Sequence, residues 1–233
     1  MTFILSLETS TTVCSVSVSG DGNVLSFREI IDAKSHASQV IPFISEVLTE
    51  AGLKPQQLGA IAVSKGPGSY TGLRIGVSTA KGIAYALNVP LISVDTLFSM
   101  ASGFIKQYSQ ITKEKNQLFC PMIDARRMEV YSAVYNSGLK EIREIKAEII
   151  HPDSFIDLFR ENQIHFFGDG AMKCKQMIQN ESAFFHEGFH PSSKHMAGIA
   201  YERYKSGKTE NLAYFEPFYL KDFVTTIPSP KMF

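Results

Sequence analysis

Residues 3–24 read FILSLETSTTVCSVSVSGDGNV, and this stretch decides the fold. Phe3 to Leu7 is an apolar run of strand length, closed by the carboxylate of Glu8. A polar turn, Thr9-Ser10-Thr11-Thr12, follows. Cys14, Val16 and Val18 then alternate with serines, the period-two signature of a second strand. Gly20-Asp21-Gly22-Asn23 consists of residues that tolerate left-handed backbone, so it predicts a tight hairpin. Val24 to Ile31 is the returning strand. Three antiparallel strands therefore open the chain.

The period changes downstream. Ala37, Val40, Ile41, Ile44, Val47, Leu48 and Ala51 recur at helical spacing, which predicts a helix over Lys34–Ala51. Gly52 is its expected C-cap, and Pro42 is expected to kink it. Leu58–Val63 reads as a strand, Gly66-Pro67-Gly68-Ser69 as a turn, the stretch to Leu87 as a second helix, and Pro90–Val94 as another strand. The order βββαβαβ is complete by residue 95. Residues 105–117 are polar and make the best linker, after which Phe119–Ile123 starts a new apolar strand.

That strand opens a second copy of the first pattern. At an offset of 116, Leu7-Glu8 meets Ile123-Asp124, Cys14 meets Val130, Val18 meets Val134 and Gly22 meets Gly138. The reading is an α/β chain of two duplicated βββαβα lobes, residues 1–104 and a divergent 105–233, with a C-terminal segment free to pack back on the first. Duplicated lobes of this kind resemble the actin-like ATPase (ribonuclease H-like, ASKHA) superfamily. The resemblance places the acidic residue ending each first strand, Glu8 and Asp124, beside an interlobe cleft that can hold nucleotide and metal. The plainer alternative is that each carboxylate begins a β-turn.

Bulk properties narrow the function. The 233 residues are 44% hydrophobic and 20% charged, an ordinary globular composition. Lys+Arg and Asp+Glu both total 23. A protein gripping RNA alone would carry a basic excess, so any RNA contact is expected to run mainly through another component. Cys14, Cys120 and Cys174 are too scattered for a disulfide framework, and no apolar run approaches membrane-spanning length. With no signal-peptide pattern at the start, the expected setting is cytoplasmic.

Gly66-Pro67-Gly68-Ser69-Tyr70-Thr71-Gly72 is the most distinctive motif. It lacks the Gly-Lys-Thr of a P-loop. Either its glycines expose backbone N–H groups to an anion, or they allow a sharp turn before a helix capped by Ser69. The helix beyond carries Gly72, Gly76, Ala80 and Ala84 at strict i, i+4 spacing. Interior glycine costs about 1 kcal/mol relative to alanine, so the ridge predicts close approach of another helix, from the same lobe or from another chain. His186 and His190 share i, i+4 spacing but surround Gly188 and precede Pro191, so they read as loop residues. His36 reads as a lone cap or surface residue.

Leu7-Glu8-Thr9-Ser10-Thr11, Ser35-His36, the Gly66–Gly76 stretch and Asp124-Ala125-Arg126-Arg127-Met128-Glu129-Val130-Tyr131 resemble the TsaB (YeaZ) family. The resemblance runs to Pro217-Phe218-Tyr219-Leu220-Lys221. It implies a non-catalytic scaffold that dimerises with a catalytic paralogue, TsaD, alongside an ATPase, TsaE. Together these transfer a threonylcarbamoyl group to N6 of the adenosine beside the anticodon in tRNAs reading codons that begin with A. It further implies a homodimer when alone, no membrane partner, tRNA met only through the complex, and no cofactor of its own, ATP being used by the wider complex.

The implied pairing surface lies on the first lobe's two helices, at His36, Val40, Phe43, Val47, Tyr70, Gly72, Leu73, Gly76, Val77, Ala80 and Ala84. Gly76→Arg is then expected to abolish pairing and leave the fold intact. Two departures bear on chemistry. Glu8 stands where the family has aspartate, which weakens a nucleotide role for it. Thr96 and Met100 stand where the paralogue carries a His-x-x-x-His metal pair, so no metal site is expected. The alternatives are a small-metabolite kinase or ATPase of the same fold, using Glu8 and Asp124, and an M22-type glycoprotease-like metallopeptidase. The latter lacks both a His-Glu-x-x-His motif and a Gly-x-Ser-x-Gly elbow.

Overall fold

In the computed structural model, residues 1–32 and 36–221 are described. The first lobe runs β1 (Phe3–Glu8), β2 (Val13–Gly20), β3 (Asn23–Ile31), α1 (His36–Glu50), β4 (Leu58–Gly66), α2 (Tyr70–Leu87) and β5 (Leu91–Asp95). The expected helix start at Lys34, and Ser35 of the motif, fall outside the described residues. Pro42 lies within α1 on its exposed side. The β2–β3 turn has the predicted left-handed pair, Asp21 at φ 48° and Gly22 at φ 81°. Next come α3 (Thr96–Gln107), β6 (Gln117–Asp124), β7 (Glu129–Asn136), β8 (Glu141–Ile149), α4 (Ile156–Phe159), β9 (Gln163–Phe167), α5 (Ala171–Cys174), β10 (Ala183–His186) and α6 (Ser193–Lys205).

The strands make two five-stranded sheets of one topology, β3-β2-β1-β4-β5 and β8-β7-β6-β9-β10. In each, the first three strands are antiparallel and the last two add in parallel. The fold is the duplicated actin-like α/β architecture.

The register corrects the alignment of the copies by one residue in the first strands. Leu7 lies opposite Val16, and Met122 lies opposite Ser132. Leu7 therefore corresponds to Met122 and Glu8 to Ile123. A one-residue slip exchanges the faces of a strand, so Glu8 and Asp124 are not structural equivalents. Glu8 shares the face of Ile4, which packs under α6, whereas Asp124 shares that of Cys120 and Met122, on the opposite side of the second sheet.

The lobes exchange helices. Leu97, Met100, Ala101 and Phe104 of α3, which follows the first sheet, pack on Phe119, Ile123, Tyr135 and Phe167 of the second. Met196 and Ala200 of α6 pack on Ile4, Ala60, Ala62, Ile92 and Val94 of the first sheet. Residues 105–107 are thus helix rather than linker, and a boundary at 104 cuts through α3. The serine side of β2, which alternation would leave wet, is covered: Ser15 Oγ lies 2.8 Å from Ser193 Oγ of α6. His186 ends β10 and is not a loop residue. Beyond α6 the chain straps the first lobe. Glu210 bridges Leu91, Leu212 and Phe215 join the core under α1 and α2, and the Phe218 N–H donates to the Lys65 carbonyl at 2.7 Å.

Candidate functional site

The Thr9–Ser10 turn at the end of β1 is stitched to the glycine loop before α2. Thr9 Oγ1 donates to the Gly72 carbonyl at 2.8 Å, and the Ser69 N–H to the Ser10 carbonyl at 2.6 Å. Ser69 also caps α2, its Oγ accepting from the Gly72 N–H at 3.3 Å. A methyl group on Gly72 would sit 2.1 Å from the Thr9 carbonyl oxygen, and one on Gly76 would sit 2.2 Å from Thr9 Oγ1. The Gly72–Gly76 end of the ridge therefore admits the chain's own β1–β2 turn, while Ala80 and Ala84 are buried in the same core as Val40 and Val47 of α1. The ridge expected to pair with another molecule thus faces its own lobe.

The same geometry turns the expected interface residues inward. His36, Val40, Phe43, Val47, Gly72, Leu73, Gly76, Val77, Ala80 and Ala84 are all buried. His36 Nε2 is 3.1 Å from the Val13 carbonyl, and Tyr70 lies half-buried beneath Arg74 and Tyr219. An arginine at Gly76 would break the fold before it tested pairing. The outward face of the helix pair is different. It presents Ile41 (57% exposed) and Tyr85 (80%) along with exposed Ser45, Ser78, Gly82 and Ala86, and among the described residues nothing lies within 4 Å of where a Gly82 side chain would begin.

Glu8 is fully buried. Its Oε1 accepts from the Ser10 N–H at 2.7 Å and from Ser64 Oγ at 2.9 Å, while Oε2 has no partner among the described residues. Burial pushes its carboxyl above the usual range, and the Ser10 and Ser64 bonds only partly offset this. Asp124 is exposed and pairs with Lys173, and its Oδ1 accepts the Arg126 N–H at 2.7 Å, so it closes its own turn. Gly68 packs closely on the Thr9–Ser10 turn: a side chain there would begin 2.2 Å from the Ser10 carbonyl oxygen. Thr96 and Met100 are both buried in α3, and among the described residues no cluster of three or more His, Cys, Asp or Glu could hold a metal.

Sequence reasoning missed the second lobe's counterpart of the glycine loop. Gly168 follows β9 at φ 104°, as Gly66 ends β4 at φ 113°. Gly168-Asp169-Gly170 then packs on β6, the Asp124 N–H donating to Asp169 Oδ1 at 3.1 Å. Burial raises the Asp169 carboxyl. The signal was present as a Gly-Asp-Gly directly after the apolar Ile164–Phe167 run.

Two matched sheets, exchanged helices and a glycine loop closing on the first hairpin define the class: a duplicated actin-like α/β protein whose first-lobe cradle is filled by its own chain. The family model described as TsaD, tRNA N6-adenosine threonylcarbamoyltransferase, matches residues 30–228. The chain is 30% identical over 234 residues, 95% of each protein, to the tRNA threonylcarbamoyladenosine biosynthesis protein TsaB of Escherichia coli (strain K12). It is 29% identical to the TsaB of Haemophilus influenzae, over 95% of this chain and 94% of that one. A solved structure, YeaZ from Pseudomonas aeruginosa, superposes with a TM-score of 0.80 at 25% identity, covering 94% of this chain and all of the other. The chain belongs to the TsaB family, within the wider family that the TsaD model describes.

Proposed function

We propose that this chain is the non-catalytic scaffold subunit of an assembly that transfers a threonylcarbamoyl group to N6 of the adenosine beside the anticodon, in tRNAs reading codons that begin with A. It acts by docking a catalytic TsaD-like paralogue on the outward face of α1 and α2, with a TsaE-like ATPase as a further component. The observation that carries this reading is the contrast between the two surfaces of the same helices. The inner one is filled by Thr9, and the outer one leaves Ile41, Tyr85 and the bare Gly82 uncovered. Small and apolar residues on an exposed helix pair suit another molecule's backbone at close range. The names of the relatives supply the pathway.

The sealed Glu8 and the self-paired Asp124 argue against catalysis by this chain alone, so no cofactor of its own is assigned and ATP is left to the wider complex. Three buried thiols suit a reducing, cytoplasmic setting, and no described helix is long and apolar enough to cross a membrane. Gel filtration with the purified paralogue tests the proposal. The wild type should co-elute as a heterodimer, and Ile41→Arg should not, while its circular dichroism stays unchanged. A wild type that elutes alone, or an Ile41→Arg variant that still pairs, contradicts the docking surface.

A further inference from the structure

We propose that a band of cations and tyrosines running from the β6–β7 turn to the start of α2 is an RNA-contacting surface, used within the assembly proposed above and resting on that reading. At one end, Arg126 and Arg127 form the tip of the second lobe's first hairpin. Both are exposed, both hold left-handed backbone (φ 72° and 52°), and neither side chain makes a hydrogen bond or ion pair among the described residues. Such turn positions are normally given to Asn-Gly. Keeping two arginines there costs conformational energy for no contact within the chain, which points to a contact outside it.

The nearby carboxylates are already answered. Asp124 pairs with Lys173, and Glu129 pairs with Lys221 of the strap. The tip therefore keeps its positive charge. Glu129, two residues beyond Arg127, is thus what joins the tip to the strap, through Lys221. Two residues before Lys221, the Tyr219 ring packs 4.8 Å from Tyr70, and the Arg74 guanidinium lies 4.1 Å over the Tyr70 ring and reaches the Tyr219 hydroxyl at 3.4 Å. Glu216 is the carboxylate nearest in influence to Arg74, and it forms no ion pair with it among the described residues. Cations that track a phosphate backbone, interleaved with aromatic faces that stack on unpaired bases, are the chemistry of RNA contact. The band unites both lobes through the strap. Because the whole chain is neutral, the band adds to RNA binding by a partner and by itself grips RNA only weakly, at low salt.

The test measures fluorescence anisotropy of an unmodified tRNA transcript against the chain assembled with its paralogue, across a salt series. The Arg126→Ala/Arg127→Ala double variant should weaken binding about tenfold and lower the slope of log K against log salt by about two. Tyr219→Ala should weaken it with the slope unchanged. Gel filtration in parallel reports assembly. If the subunits fail to assemble, the scaffold reading fails, and the chain alone at low salt decides this proposal by the same variants. Equal affinity and slope for the double variant and the wild type overturn it. So does equal displacement of the tRNA by an acidic polypeptide, which would mark the band as a protein-docking surface.

Discussion

Gly72 and Gly76 on one side of α2, and Gly82 on the other, are the same residue type with opposite consequences. A methyl group on Gly72 collides with the Thr9 carbonyl, part of rigid backbone, and one on Gly76 with Thr9 Oγ1, which is held by its bond to the Gly72 carbonyl. Gly72→Ala and Gly76→Ala should each cost about 2 kcal/mol, overpacking outweighing the helix preference of alanine. Gly82→Ala meets nothing and should stabilise the isolated chain by about 1 kcal/mol. Urea unfolding of the three variants checks this, and a stable Gly76→Ala would mean that the ridge is not filled. Glu8 offers a second test. Because burial raises its carboxyl, stability is full below the ordinary carboxylate range and is lost as pH rises through the raised value. Glu8→Gln should therefore gain on the wild type in melting temperature as pH rises above the ordinary carboxylate range. A loss there would mean that the buried charge is answered by a cation or ligand.

At the scale of elements, histidines set the acid limit. His165 Nε2 donates to Gln117 Oε1 at 2.7 Å, since the Gln117 amide nitrogen is already directed to carbonyl oxygens. His165 Nδ1 must then accept from His186 Nε2, 2.9 Å away. His195 stacks on Phe189 with Nδ1 buried and without a hydrogen-bond partner among the described residues. Desolvation lowers His165 and His195 to about 4, from roughly 6.5 in an unfolded chain. The unfolded state binds the protons first, so stability is full above about pH 6.5 and falls as pH drops toward 4. The melting temperature should decline over that window, and His195→Phe should flatten the decline. An unchanged slope would show that the ring titrates freely in the folded protein.

The elements also show what a sequence carries. The opening hairpin, the Ser69 cap and α2 were legible because each is fixed by residues close in the chain. Helix α3 was not read, although Leu97, Met100, Ala101 and Phe104 recur at helical spacing: the sheet it covers lies in the other lobe, which no local pattern states. The ridge on α2 was legible as a face. Which way the face points depends on Thr9, 63 residues from Gly72, and no local pattern states that. Glu8 and Asp124 were paired across the copies because Phe3–Leu7 and Phe119–Ile123 are nearly continuous apolar runs with no alternation to fix them within one residue, a slip that only strand register removes.

For the whole molecule, exchanged helices and a strap from Glu210 to Lys221 bind two similar lobes into one body, with Glu8 sealed inside it and Asp124 paired with Lys173 at its surface. Shortening the chain after Phe215 should free the Phe218–Lys65 bond and the Tyr219–Arg74 contact. Hydrogen exchange at 66–72 should then rise at least about tenfold, and unchanged protection would show that the strap is not what holds the loop. The most direct measurement of the central claim is tRNA threonylcarbamoylation by the purified paralogue, with this chain supplied as wild type, Ile41→Arg, Glu8→Gln or Asp124→Asn. A scaffold predicts that activity requires the chain, disappears with Ile41→Arg and persists with the other two. Activity that survives Ile41→Arg, or that Asp124→Asn abolishes in an intact heterodimer, would contradict it.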